Sequence, residues 1–282
     1  MKSNLIRNLA VLGILAAVPA VSFGGVFVSV SIAPPVLPVY VQPVCPGPDY
    51  IWTPGYWAYG QAGYFWVPGT WVLAPAPGLL WTPGYWGFAG GVYAWHAGYW
   101  GPHVGFYGGV NYGFGYTGVG FVGGGWEAGH FRYNTAVANV NTTVIHNTYV
   151  NNTVVNNTTA VNRTSFNGGP GGIAAQPTAA ESAAAREPHS APTAIQSSHE
   201  TAAGQDRQNF ASVNHGRPAN AAMSHPMAAG APANHVNAGA AQGPHPSPNT
   251  NAPHPNAQTP HAAAAKNAPQ HPAPQRHEEE RR

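Results

Sequence analysis

The chain has 282 residues, of which only 7% are charged, and its formal net charge is +2. Between residues 8 and 162 only Asp49, Glu127 and Arg132 carry a formal charge, so the lysine and arginine stripe of a nucleic-acid binder is missing and no acidic partner is implied. With 35 glycines and 29 prolines, less of the chain is expected to fold than its length would allow.

Residues 1–22 read as a secretory signal peptide. Lys2 and Arg7 open it, an apolar run from Leu9 to Val21 follows, and Ala20-Val21-Ser22 supplies a small-x-small cleavage site. The run is too short to span a bilayer, so no transmembrane span is expected after signal cleavage, and the mature chain is expected to be secreted or to sit in the periplasm or outer envelope. Residues 23–49 hold a period-two strand through Val26, Val28, Val30 and Ile32, then a proline-rich connector. Cys45, the only cysteine, has no partner for an internal disulfide, which leaves a buried or tolerated thiol or an intermolecular link.

Residues 50–133 are predicted to form an aromatic β module built on four tryptophan brackets: Trp52 to Trp57, Trp66 to Trp71, Trp81 to Trp86 and Trp95 to Trp100. The first and third start 29 residues apart, as do the second and fourth, so a pair of brackets is used twice. Within each pair the tryptophans are symmetric about a glycine-flanked midpoint, which is the arithmetic of an antiparallel hairpin. Trp57 should face Trp66, Trp52 face Trp71, and in the second unit Trp86 face Trp95 and Trp81 face Trp100. The Pro-Gly steps inside the brackets are either kinks in continuous strands or type II turn tips; the kink is favoured, because type II turns splay a two-residue hairpin. The fold class is therefore mainly β: a small antiparallel meander of tandem hairpins, followed by Gly- and Asn-rich extended segments.

Those brackets resemble the YXWGXW repeat, also written WxxGxW, of a family of secreted bacterial proteins. A degenerate bracket from Trp126 to Phe131 and the stretch from Gly101 to Tyr116 also look like that family. The resemblance implies an exported, repeat-bearing envelope or extracellular protein, and it brings no catalytic residues. Ala97, where proline is usual, and Phe131, where tryptophan is, depart from the pattern.

Between Gly101 and Gly125, Tyr112, Phe114 and Tyr116 sit two apart among glycines, as on a strand with one aromatic face or in a flexible connector. Residues 134–166 carry an Asn/Thr/Val near-repeat of five residues, a period with no single amphipathic face and a composition that favours self-association. From residue 167 to 282 the chain turns to histidine, alanine and proline and is expected to be mostly disordered. Capping boxes at Thr178 and Thr193 predict short helices near 178–187 and 193–204.

No catalytic constellation emerges, no cofactor is implied and the chain is read as a non-enzyme. His199-Glu200 begins the zinc-protease pattern, but Ala203 stands where its second histidine belongs. Histidines recur along the tail, with His225, His235 and His245 as weak candidates for loose divalent-metal binding; their ten-residue spacing preforms no site. The eight bracket tryptophans either stack on cell-wall or extracellular polysaccharide or fill a core. The expected function is an envelope-associated structural or binding protein that contacts glycans through aromatic residues, with weak metal binding or self-assembly as the alternative.

Overall fold

A computed structural model describes residues 28–153 and 163–226; residues 1–27, 154–162 and 227–282 lie outside the described residues. A short strand, β1 (Ser29–Val30), leads into an extended proline-rich run that reaches Asp49. The first repeat unit is β2 (Tyr50–Thr53), β3 (Tyr56–Gly60), β4 (Gly63–Val67) and β5 (Thr70–Leu73). The second is β6 (Leu80–Thr82), β7 (Tyr85–Ala89), β8 (Val92–His96) and β9 (Tyr99–Gly101).

Each unit is one long antiparallel hairpin interrupted at its Pro-Gly steps. β2 pairs with β5 through Trp52 and Trp71, and β3 pairs with β4 through Trp57 and Trp66. In the second unit Trp81 pairs with Trp100, and Trp86 with Trp95. The same mirror register holds on both sides of the break, so the Pro-Gly step is a kink without an inserted residue. At the tip of the second unit, Gly90 and Gly91 both have positive φ, 59° and 86°, as a two-residue primed turn requires. The facing indoles meet edge-on or tilted, with centroids 5.2–5.4 Å apart, a preferred geometry for aromatic pairs.

The kink also explains the glycine of the motif. The first tryptophan of each bracket lays its ring over the glycine of the mirror bracket. A Cβ on Gly69 would come within 2.6 Å of Trp52 Cζ2, one on Gly84 within 2.5 Å of Trp95 Cζ2, and one on Gly98 within 2.5 Å of Trp81 Cζ2. Trp66 covers Gly55 in the same way. Two brackets thus form a reciprocal lock, ring on glycine in both directions.

The hairpins pack through side chains and share no ladder with each other. Trp86 Nε1 donates to Trp57 O at 2.7 Å, and Tyr64 meets the Trp86 ring edge-on. The proline-rich run covers one side of the first hairpin. Its carbonyls lack ladder partners and are taken by ring groups: Trp57 Nε1 donates to Val36 O, Trp71 Nε1 to Pro43 O, and the Tyr64 hydroxyl to Ile32 O. Cys45 is buried here, its thiol donating to Gly47 O at 3.1 Å, and burial raises its pKa.

The glycine-rich stretch is neither a single strand nor a plain connector. β10 (Asn111–Gly113) and β11 (Tyr116–Thr117) form a small hairpin that reverses at Phe114 and Gly115, φ 50° and 99°. The reversal breaks the expected aromatic face: Tyr112 and Tyr116 are buried, while Phe114 is half-buried against Tyr40 and Trp52. The degenerate bracket closes on itself. β12 (Gly124–Glu127) and β13 (His130–Asn134) pair Trp126 with Phe131 across a turn at Ala128 and Gly129. β14 (Thr148–Tyr149) joins β13 in parallel, and β15 (Phe166–Asn167) joins β7 in parallel.

Residues 167–226 carry the two short helices that the capping boxes predict. α1 (Ala179–Ala184) and α2 (Ala194–Gln205) both start with complete capping boxes, from Thr178 to Glu181 and from Thr193 to Gln196. A 3₁₀ turn (Arg207–Asn209) and α3 (Ala211–Asn214) follow. α2 and α3 pack on β4, and a strand-like stretch at Ala221–Met223 hydrogen-bonds Gly69 through both its amide and its carbonyl. Composition alone missed this because the apolar surface that these residues cover belongs to the hairpins.

Candidate binding cleft at the Pro-Gly steps

Where the two hairpins approach α2, a cavity of about 70 Å³ opens among the kinks. Pro54, Pro68 and Pro83 line it, and at the fourth equivalent position Ala97 stands in place of proline. Tyr56 and Trp95, one from each hairpin, are stacked with centroids 5.1 Å apart and planes 16° from parallel. Both are half-buried lining residues.

α2 supplies the opposite wall. The Tyr56 hydroxyl donates to Glu200 Oε2 at 3.0 Å, and Trp100 Nε1 donates to Gln196 Oε1 at 2.8 Å. Burial, reinforced by the Glu200 charge, pushes the Tyr56 pKa well up, so the phenol is a donor. Tyr112 donates to Gly84 O at 2.6 Å, and both residues line the cavity. Thr70 adds a buried hydroxyl without a hydrogen-bond partner among the described residues.

His199 latches α2 to the first hairpin, with Nε2 donating to Pro68 O at 2.7 Å. The ring is only 6% exposed, and burial lowers its pKa while the carbonyl acts in the opposite sense. A depressed histidine contributes stability that is present above the unfolded value, about 6.5, and is lost as pH falls through the folded value. The melting temperature should therefore drop more steeply below about pH 6.5 in the wild type than in His199→Gln. Melting curves at intervals from neutral to acidic pH check this, and the difference between proteins isolates His199 from His96, whose pKa burial also lowers.

Seven of the eight bracket tryptophans are core residues. Trp52, Trp57, Trp66, Trp71, Trp81, Trp86 and Trp100 are all buried, and Trp95 alone is partly accessible. Of the histidines singled out for metal, His225 is exposed beside Ser224, while His235 and His245 lie outside the described residues. Among the described residues no group of three His, Cys, Asp or Glu side chains could hold a metal ion. Tyr56, Gln196 and Glu200 escape a reading of the sequence as cleft residues; the capping box at Thr193 locates α2 but not what it faces.

A second, more open depression of about 270 Å³ lies under Tyr40 and Phe114. Two of its polar side chains are engaged within the lining itself: Asn111 Oδ1 accepts from Gly113 N, and Arg163 Nε donates to Leu37 O.

Comparison with curated proteins and with solved structures yields no match. Residues 47–72 and 77–100 match the family model of the WXXGXW repeat, and each match falls on one kinked hairpin. The chain thus carries two copies of the WXXGXW repeat, each locked ring on glycine.

Proposed function

We propose that this is an exported, envelope-associated, non-enzymatic protein whose two-repeat module contacts cell-wall or extracellular glycans. The observation that carries the reading is the Tyr56–Trp95 stack on the lining of a cleft whose other wall bears polar side chains. A pyranose offers an apolar C–H face to an aromatic ring and hydroxyls to its surroundings, and the cleft has a wall for each. Export is supported by the signal-like residues 1–22. Glycoside hydrolysis employs two carboxylates, and Glu200 is the one acid among the lining residues. Among the described residues no helix is long and apolar enough to cross a membrane.

Self-assembly is a second reading, favoured by an exposed aliphatic row along the proline-rich run: Ile32, Val36, Val39, Val41 and Val44. Co-sedimentation of the chain lacking residues 1–22 with insoluble cell-wall glycan tests both. Under the glycan reading the protein pellets with the wall material and stays soluble alone, and Trp95→Ala loses the pelleted fraction. Pelleting without wall material would point to self-assembly, and retention of Trp95→Ala at the wild-type level would remove the aromatic stack from the proposal.

A further inference from the structure

Within the glycan reading, on which this inference rests, we propose that the cleft at the Pro-Gly steps seats the acetamido group of an N-acetylated amino sugar, with the sugar ring resting against Tyr56 and Trp95. The space exists because of a local departure from the repeat. The 29-residue equivalence places Ala97 where Pro68 stands in the first unit, and both residues line the cavity. A pyrrolidine ring is therefore missing from one wall.

Size narrows the occupant. A cavity of about 150 Å³ takes benzene, so the roughly 70 Å³ here suits a substituent of a few heavy atoms. A pyranose ring is too large to enter. A lone hydroxyl would leave most of the space empty, whereas the four heavy atoms of an acetamido group match it.

Chemistry narrows it again. The group's methyl meets Pro54, Pro83 and Ala97, an apolar surface, and its amide meets the polar wall of α2. Glu200 Oε2 is engaged by Tyr56, and Gln196 Oε1 by Trp100 and by Thr193 of its own capping box, whereas Glu200 Oε1 and Gln196 Nε2 make no hydrogen bond among the described residues. The first can accept from the acetamido N–H, and the second can donate to its carbonyl. The partnerless hydroxyl of Thr70 lies on the same lining, and a buried polar group left unpaired is one that a ligand can satisfy.

Calorimetric titration of the chain lacking residues 1–22 with three trisaccharides tests the assignment: triacetylchitotriose, its fully deacetylated form and cellotriose. Triacetylchitotriose should bind at least about tenfold more tightly than either of the others, the discrimination expected when a shaped pocket loses one small group. Ala97→Pro, which restores the residue found at the three equivalent positions, should abolish that preference without lowering the melting temperature. Should Ala97→Pro fail to fold, Glu200→Ala on the exposed face of α2 should weaken triacetylchitotriose selectively. Equal binding of triacetylchitotriose and cellotriose would leave the glycan reading standing and overturn the acetamido assignment. Preference for the deacetylated trimer would replace it with recognition of an ammonium by Glu200. Binding of none of the three would overturn both. An Ala97→Pro protein that folds and binds as the wild type does would also sink the assignment.

Discussion

Gly98→Ala should destabilise the protein by about 3 kcal/mol and lower its melting temperature by roughly 10 °C, an effect large for a single methyl group. The new Cβ would sit 2.5 Å from Trp81 Cζ2, 2.7 Å from Thr82 O and 2.8 Å from Gly84 N. Two of those atoms are backbone of the facing bracket, and the third belongs to an indole packed on Trp100, so the methyl has no cheap direction of relief. Backbone conformation does not enter, because Gly98 is outside the positive-φ set. Gly125→Ala is the matched control: it too avoids positive φ, and nothing lies within 4 Å of its Cβ position. That substitution should leave stability unchanged or raise it by up to about 1 kcal/mol, by narrowing the unfolded ensemble. Thermal melts followed by near-ultraviolet circular dichroism decide the comparison. Equal melting temperatures for the two variants would mean that the ring-on-glycine lock does not hold the kink.

The lock was half legible in the sequence. Mirror symmetry of the tryptophans about Gln61-Ala62 and about Gly90-Gly91 fixes the register, because an antiparallel pair is defined by positions equidistant from a turn. The reason for the motif's glycine was not legible, since the ring that covers Gly69 belongs to Trp52, and only the kinked geometry brings the two together. Burial of the tryptophans was equally out of reach. A spacing of five sends bracketing residues to opposite faces of a flat strand, and the surfaces that cover them come from distant segments of weak local signal. Val36 and Pro43 belong to what reads as a connector, and Ala221 and Gln196 to what reads as a tail. Such segments carry little hydrophobic periodicity because they contribute carbonyls and small side chains to a core made elsewhere. The cleft suffers from the same non-locality: His199, Glu200 and Gln196 meet Pro68, Tyr56 and Trp100 across 96 to 144 residues of chain.

Trp86→Ala should cost about 3–5 kcal/mol, the range for removing a fully buried aromatic ring, and should uncouple the two repeat units as well as loosen one. Trp86 is 2% exposed and touches both hairpins: it faces Trp95 within its own unit, meets Tyr64 of the other edge-on, and donates to Trp57 O at 2.7 Å. Trp86→Phe separates packing from polarity. The phenyl ring keeps much of the buried surface, but the buried Trp57 carbonyl loses its indole donor, a loss of about 1–3 kcal/mol. Trp95→Ala should be milder than Trp86→Ala, since Trp95 is only partly buried where it lines the cleft. The order Trp86→Ala, Trp86→Phe, Trp95→Ala, from most to least destabilised, is measurable by urea denaturation at a single temperature. The unfolding slope carries the second half of the argument. If Trp86 ties the hairpins together, Trp86→Ala should broaden the transition or split it, because each unit then melts on its own. A single sharp transition with an unchanged slope would show that the proline-rich run and α2 are sufficient to hold both hairpins in one cooperative core.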